Sequence, residues 1–507
     1  MHGVYGVAFQ VNALEHDALE VLRLARSMKN TFAPINKIPQ EVLSLIPDYW
    51  EDSSRDEGLI KLTHICRSWR DVFTLYPSLW TRLDCISADK VRTYIERSKS
   101  SPLDIHLGRV SGVYCEELFI LAAAHVGRFR SLSASGDLTP VLPALAKHLP
   151  CPAPLLDKLD INHASHRFAV LPDKLFNGDL SSLRELRLAM VITPLPWRDL
   201  SNLTTFQLCR VPENTILLTQ FLDFFESTPH LRHIQLYDSI PNFSNAPAER
   251  VLHLPSLQEL SITAQPPHSL LLNHLSIPAG VLLRLQFTFS GRDPQIPPHL
   301  PESLDNLNNL SHISAVNLKF GFERSSMRLS GPSGGIYIHG NWMQGGEEHD
   351  RGTTPVLLSL EQFDMSRSKW LTVTLLRTFP KAPVVAWSLY RYLCFMENLR
   401  TLTLIQCNNP SFIFTLNPVK NPQITVPCPK LKEIILHIDH PDQLHIGGLL
   451  SMAKVRASRK AKLSEVTIVG TDALAPTNQM IRLRKHVSRV DYKFDDAPPA
   501  WDALPVT

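Results

Sequence analysis

The clearest hydrophobic pattern in the chain is a six-residue core, L-x-x-L-x-L, which returns along most of its length. Apolar residues that alternate with single polar residues predict short β-strands with one buried face. Within each run the copies begin 20 to 32 residues apart, which indicates a repeated unit rather than isolated strands. The copies begin at Leu156, Leu183, Leu203, Leu231, Leu257, Leu282, Leu399, Leu431 and Leu463, with a looser copy at Leu310.

Stretches with helical spacing lie between the copies, for example residues 219–227 and 384–397. Each unit is therefore predicted to be a strand, a turn and a helical or irregular return, with parallel strands and inward leucines. This period is typical of leucine-rich-repeat solenoids, and a run of unrelated α/β units is the alternative. Residues 102–107, 116–125 and 129–134 predict two earlier units.

The turns after the strands depart from the regular repeat. A regular copy has Asn or Cys three residues after its last leucine, where the side chain satisfies backbone groups of the turn. Cys407 fits that position, whereas Val191, Val211, Ser239 and Gln265 do not. We therefore expect an irregular α/β solenoid over residues 86–507.

Polar residues between the inward leucines are expected to share one open face of the sheet. A face that mixes charged, amide and aromatic side chains suits a protein ligand. The predicted binding residues are Glu185, Arg187, Thr205, Gln207, His233, Gln235, Tyr237, Glu259 and Ser261.

The repeat lapses between residues 321 and 352, where eight of the chain's 21 glycines lie. Glycine at this density predicts turns and a hairpin, and residues 335–342 alternate as a strand would. The insert is expected to be either an ordered flap over the sheet face or a mobile loop.

A different pattern precedes the repeats. Ile38-Pro39 suits a helix entry, and the apolar residues after it keep helical spacing until Pro47 interrupts them. Residues 52–58 are charged and predict a loop. From Leu59 onward one amphipathic helix is predicted, with Leu62, Ile65, Cys66, Trp69, Val72 and Phe73 on its apolar face, and Leu79-Trp80 close the segment after Pro77. So small a segment cannot bury both tryptophans by itself, so it must pack on the rest of the chain or on a partner.

The ordered set Ile38-Pro39, Glu41-Val42-Leu43, Cys66-Arg67, Trp69-Arg70 and Leu79-Trp80 resembles the F-box. Ile38 in place of the usual leading leucine, the interruption at Pro47 and a longer link between helices match the F-box-like branch. The continuation SADKVRTYIERSKSSPLDIHL resembles the large families of such proteins in mushroom-forming fungi. The expected fold class is α/β: a small all-helical F-box-like module followed by an irregular leucine-rich-repeat-like solenoid.

The resemblance implies a non-catalytic subunit that needs no cofactor. It would bind a Skp-type adaptor, and through it a cullin scaffold, while the solenoid binds a protein substrate for ubiquitylation. The alternative is a protein-binding scaffold without a ubiquitin role, in which the F-box-like segment caps the solenoid. The expected domains are residues 1–34, 35–85 and 86–507. The implied adaptor-facing and supporting residues are Ile38, Pro39, Val42, Leu43, Leu62, Cys66, Trp69, Leu79 and Trp80.

The first 34 residues predict one helix with a single apolar stripe. We expect that helix to dock beside the first F-box-like helix; a dimerising stem is the alternative. The stripe consists of Leu14, Ala18, Val21, Ala25, Met28 and Phe32.

Composition narrows the class of protein. The chain has 507 residues, 44% hydrophobic and 20% charged, which is ordinary for folded domains and too long for one core. With 51 basic and 48 acidic residues, it gives no electrostatic reason to expect nucleic acid. Eight scattered cysteines without a C-x-x-C pair suggest buried thiols in a reducing compartment. Without a signal peptide or a long apolar run, we expect an intracellular protein, cytoplasmic or nuclear, with no membrane partner.

Three segments could carry chemistry. Residues 331–335 fit the G-x-S-x-G nucleophile elbow, but a strand-like run follows Ser333 where that motif needs a helix, so a glycine turn is predicted instead. The group His437, Asp439, His440 and His445 could bind zinc, but a proline-containing loop after a strand explains it more simply and is predicted instead. Residues 454–462 predict the solvated basic face of a helix, and the sequence predicts no enzyme.

Overall fold

A computed structural model describes most of the chain, which divides into two compact units, Met1–Leu183 and Arg184–Thr507. No helix among the described residues is both long and apolar enough to cross a membrane. The described residues are 2–49, 55–84, 87–108, 120–172, 175–193, 200–212, 215–244, 250–264, 269–289, 300–301, 303–321, 324–342, 360–375, 382–407, 410–417, 426–438, 445–470 and 478–494.

The first unit is mixed α/β. Its helices are α1 (His2–Phe32), α2 (Gln40–Leu43), α3 (Arg55–Thr63), α4 (Arg67–Leu75), α5 (Ala88–Ser98) and a helix at Val141–His148, with short 3-10 turns such as Ile46–Tyr49 and Pro77–Trp80. Its strands are β1 (Arg82–Asp84), β2 (Leu103–Gly108), β3 (Phe129–Gly136), β4 (Lys158–His163) and β5 (Ala169–Val170). Strands β1 to β4 pair in parallel in chain order, so the segment predicted as all-helical ends in a strand. In the predicted helix 116–125, residues 120–123 are helical, and residues 116–119 lie outside the described residues.

The single helix predicted from Leu59 is wrong, because two helices meet at a turn over residues 64–66. Cys66 is extended, with φ −158° and ψ 172°, and it precedes the first residue of α4. The Arg70 side chain donates from Nε to the Thr63 carbonyl at 2.9 Å, which satisfies a backbone group at the end of α3. The helix α3 also begins at Arg55, inside the segment predicted as a loop.

Both tryptophans of the helical segment are buried against other parts of the first unit, as the small size of the segment predicted. The Trp80 indole donates to the Phe73 carbonyl at 2.8 Å and meets the Tyr94 ring of α5 edge-on at 4.9 Å. The Trp69 indole donates to Asn36 Oδ1 at 2.5 Å. These bonds satisfy both indole N–H groups, so the rings can be buried without an unpaired donor.

The expected docking of α1 is wrong for the part of the helix whose side chains are described. Residues Val11, Leu14, Val21, Met28 and Phe32 are all exposed. The helix forms as predicted, but its apolar stripe contacts no core of this chain. The dimerising stem stays a prediction.

The second unit is built on a large, mostly parallel sheet. Its longer strands are β6 (Glu185–Ala189), β8 (Thr205–Cys209), β9 (His233–Tyr237), β11 (Glu259–Ala264), β13 (Leu282–Phe289), β14 (Ala315–Phe320), β15 (Arg324–Gly331), β16 (Gly334–Trp342), β17 (Trp370–Leu375), β18 (Thr401–Ile405), β19 (Glu433–Ile438), β20 (Glu465–Gly470) and β21 (Arg489–Phe494). Two-residue strands lie at β7 (Val191–Ile192), β10 (Leu252–His253) and β12 (Leu275–Ser276).

One backbone arrangement recurs at the start of these strands. We number the six residues of each core 1 to 6, with the apolar residues at positions 1, 4 and 6. The position-2 carbonyl of Arg184 accepts N–H bonds from Thr204 at 2.9 Å and Thr205 at 3.0 Å. The carbonyls of Arg232, Lys369 and Arg400 each accept the same pair of N–H bonds from the start of the next core. Neighbouring cores are therefore paired in phase, and their apolar positions stack as one buried layer.

That register corrects the predicted first residue of two copies and reveals two copies that were not predicted. Leu283 and Leu285 pair with Leu260 and Ile262, so the copy read from Leu282 begins instead at Gly280. The looser copy begins at Ile313 rather than Leu310, because Lys369 donates to the carbonyl of the next residue, Ser314. Strands β17 and β21 were not predicted, because their cores begin with Ser368 and Val487 in place of leucine.

The turns after the strands share a left-handed residue that is not glycine. Met190, Arg210, Asp238 and Gln406 have φ between 44° and 58°, and each donates its N–H to a carbonyl of the adjacent strand. Cys407 then donates its thiol to the Val373 carbonyl. The Ser239 hydroxyl accepts from Val211 N at 3.0 Å and donates to the Tyr237 carbonyl at 2.8 Å. Serine therefore fulfils the backbone-bonding role for which the sequence analysis considered only Asn and Cys.

The glycine-rich insert forms a hairpin within the sheet, so for its described part both the flap and the mobile loop are wrong. Strand β15 pairs antiparallel with β14 and β16, and β16 pairs in parallel with β13. Ser333 lies in the two-residue turn between β15 and β16, which confirms the glycine-turn prediction. The buried Asn309 amide donates to the carbonyls of Val281 and Gly335 and ties the hairpin to β13. Residues 343–352 of the insert lie outside the described residues.

Helices return the chain between several strands. The predicted helices are present as Leu218–Ser227 and Ala382–Leu393. Others lie at Ser269–Leu272, Ser411–Phe414, Ile446–Ser458 and Asn478–Leu483. The predicted basic face over 454–462 is wrong at Arg456, which is fully buried and donates to the carbonyls of Pro427 and Cys428, both at 2.8 Å. The helix also ends before Lys460 and Lys462.

We expect Gly334→Ala to destabilise the second unit by about 2 kcal/mol or more. Gly334 has φ +110°, and a Cβ there would lie 2.5 Å from the Val281 carbonyl oxygen. The control is Gly447→Ala, since a Cβ on this helical glycine meets nothing within 4 Å. Urea unfolding of both variants checks the prediction, and equal midpoints would contradict it.

Arg456→Ala should lower the free energy of unfolding by about 2–5 kcal/mol, because two buried carbonyls lose their donors and a cavity remains. The Arg456 side chain is fully buried, and this burial lowers its pKa. The matched control, Lys454→Ala, changes an exposed residue of the same helix and should have an effect below about 0.5 kcal/mol. Chemical denaturation measures both effects.

Candidate functional site

The nine predicted adaptor residues fall into two groups by burial. Leu43, Leu62, Trp69, Leu79 and Trp80 are buried in the first unit. Val42 is 49% exposed, Pro39 is exposed, and Ile38 and Cys66 are half-buried. Only the second group is accessible at the surface, whereas the first supports the helices that carry it.

Further apolar side chains of the helical segment are exposed. Ile65 is 56% exposed because it lies in the turn between α3 and α4 and not on a helix face. Leu45, Tyr49, Ile60 and Leu75 are exposed as well. The exposure of these residues does not follow from the sequence pattern, because helical spacing alone does not show where a helix breaks. Large apolar side chains that stay exposed within one short segment are candidates for contact with a partner.

The second candidate site is a groove of about 670 Å³ on the open face of the sheet in the second unit. Strand spacing is about 4.8 Å, so the groove from β6 to β16 is roughly 24 Å across. Every predicted binding residue except Glu185 lines it. Glu185 lies on the same face, beside Thr205 in the register of β6 and β8.

Both signs of charge meet in the groove. Arg284 Nε lies 2.7 Å from Glu259 Oε1, and His233 Nδ1 lies 4.0 Å from the other oxygen of the same carboxylate. Arg187 lies 3.5 Å from Glu185. Amide, hydroxyl and phenol groups fill the positions between these charges, so the groove offers donors and acceptors to a polar protein segment.

Residues beyond those predicted from the sequence also line the groove. Thr263, Arg284 and Gln286 continue the same face on β11 and β13, beyond the last predicted residue. Tyr337 joins them because β16 pairs with β13, Arg284 opposite Tyr337. Alternation along β13 could have identified Arg284, whereas nothing in the sequence indicated that the hairpin enters the sheet there.

At the rim, Arg210 lies over the Tyr237 ring, 5.6 Å from its centroid. The hydrogen bond to the Tyr237 side chain raises the pKa of Arg210. Burial raises the pKa of the Asp238 carboxyl and of the Cys209 thiol, so the thiol stays protonated at neutral pH. The rim thus carries a fixed cation held against an aromatic face.

The other predicted chemistry is not assembled among the described residues. Asp439 and His440 lie outside them, and no group of three or more His, Cys, Asp or Glu among those described could hold a metal ion. His437 lies on β19 and His445 precedes the helix Ile446–Ser458.

No protein-family model matches the chain, and no curated protein matches it either.

Because its ion pairs are exposed, the groove should contribute little to stability. Replacing both members of its closest pair, Glu259→Gln with Arg284→Gln, should change the free energy of unfolding by less than about 1 kcal/mol. Thermal and urea unfolding test this. A larger loss would mean that the groove's charges hold the sheet together and are less available to a ligand.

Proposed function

We propose that the chain is the substrate-recognition subunit of a Skp–cullin–F-box ubiquitin ligase. The proposal rests on the resemblance of residues 38–80 to the F-box. The observation that supports it best is the division of the matched residues into a buried group around Trp69 and Trp80 and an exposed group around Val42. A docking module needs both: buried residues to hold short helices in place, and exposed apolar residues for the partner to cover.

The groove of the second unit would bind the substrate protein. Its extent of roughly 24 Å across the strands matches an extended segment of about seven residues. Its mixed charges favour a polar segment with both an acidic and a basic side chain, which Arg284 and Glu259 would meet.

The chain itself would supply no catalytic group in this function. A bound substrate would have its lysine held near a ubiquitin-charged enzyme on the same cullin scaffold. The gain in rate would come from effective concentration.

A second function is favoured by one observation. Trp80 is fully buried against Tyr94 of α5, and Arg97 of the same helix lies 4.3 Å from the Trp80 ring centroid. The helical segment therefore covers the first strand–helix unit, as the end cap of a repeat array would. In this alternative the chain is a protein-binding scaffold without a ubiquitin role.

The test is the affinity of the purified chain for a Skp-type adaptor. Val42→Asp should weaken binding by about tenfold or more, since a charge would be buried in an apolar interface. The double change Ile38→Ala with Pro39→Ala should weaken it as well. Val251→Asp is the matched control, because Val251 is an exposed valine outside the helical segment.

Circular dichroism should be the same for Val42→Asp, Val251→Asp and the unmodified chain, since both valines are exposed. Failure of the unmodified chain to bind the adaptor would overturn the ligase proposal and leave the scaffold. Equal weakening by Val251→Asp would show that the effect is not specific to the helical segment.

A further inference from the structure

A row of cationic residues lies along the edge of the second unit's sheet where the parallel strands begin. Lys369 donates its N–H to the Ser314 carbonyl at 2.7 Å, Arg400 donates to Lys369 at 2.8 Å, and Lys432 donates to Arg400 at 2.9 Å. All four residues occupy core position 2, so the bonds bring them side by side. Lys369, Arg400 and Lys432 therefore lie on adjacent strands about 4.8 Å apart.

A pocket of about 560 Å³ opens at the end of this row. Its apolar wall includes Ile313, Pro332 and the Trp370 ring, whose residue is 37% exposed. Its charged wall includes Arg367, Lys369 and Arg400, together with His312 and Asn398. None of the residues that line the pocket is acidic.

The contacts within the pocket do not neutralise its charge. Arg367 donates to Nδ1 of His312 at 2.6 Å, and its charge also acts on the Asp364 carboxyl, which is not among the residues that line the pocket. Lys369 Nζ lies 5.8 Å from the centroid of the Trp370 ring. Asn398 Oδ1 accepts from Lys430 at 2.7 Å, which adds a further cation at the rim.

We propose that this pocket binds a phosphate ester whose organic part is a flat ring. The phosphate would contact Lys369, Arg400 and Arg367, since a dianion offsets several like charges and guanidinium groups bind phosphate oxygens in a fork. The ring would lie against the Trp370 indole. The pocket is separate from the groove and independent of the ubiquitin ligase proposal.

Calorimetric titration at low salt compares three probes on the full chain. Phenyl phosphate should bind more tightly than inorganic phosphate by about tenfold, because it also covers the indole, and phenol should bind too weakly to measure. Binding should weaken as salt is added, since the contacts are largely exposed. A phosphotyrosine peptide and adenosine monophosphate then separate the two sources of such a ligand, and tighter binding of either identifies the source.

Lys369→Gln with Arg400→Gln should weaken phenyl phosphate binding by about tenfold or more. Trp370→Ala should reduce it to the affinity of inorganic phosphate. The control is Arg232→Gln, which changes the same core position at the start of β9, where Arg232 donates to the Thr204 carbonyl at 2.8 Å.

Equal weakening by Arg232→Gln would overturn the proposal, because it would reveal a general effect of charge. Phenyl phosphate binding no tighter than inorganic phosphate would also overturn it. If the double variant does not fold, Arg367→Gln, which changes an exposed side chain, replaces it in the same comparison.

Discussion

The pair of N–H bonds accepted by position-2 carbonyls such as those of Arg184, Arg232 and Lys369 is the interaction on which the second unit depends. Each repeat is too short to bury its own leucines, so it gains a core only when its neighbours align with it. Where both bonds form, they fix that alignment at the first residues of the strands they join. A slip by one residue would turn every leucine to the open face and every polar side chain into the core. Both the buried layer and the composition of the groove therefore follow from the same register.

The repeat can be predicted from the sequence where leucine occupies the apolar core positions. The prediction fails where another residue occupies one of those positions. Ser368 is buried at position 1 of its core, which hides β17 from a search for leucine. Gly280 takes the same position before β13, so the apolar residues after it suggested a core that begins two residues late. Pairing partners, which the chain supplies only in three dimensions, fix the correct phase.

The hairpin and Arg456 illustrate two further limits. Antiparallel strands β15 and β16 enter a parallel sheet, and local alternation cannot show which strands they join. Arg456 lies in a run of basic residues that resembles a solvated face, yet carbonyls at the turn before β19 bind its guanidinium in the core. Long-range acceptors decide both outcomes, so no pattern along the chain could have indicated them. In the helical segment, by contrast, burial of Trp69 and Trp80 followed from size alone, since two indoles need more surface than short helices provide.

Parallel register also places the residues of one core position side by side, so that together they form one surface. Positions 3 and 5 face the groove and carry Glu, Arg, His and Gln, so that face has both signs of charge. Position 2 directly precedes the strand and carries Lys369, Arg400 and Lys432 in succession, with no acidic residue among these three. A chain with a net charge of only +3 can thus present an edge of a single sign. Total charge is a poor guide to the partners of a repeat protein, because residues at the same core position of successive repeats lie side by side and give one surface its own charge.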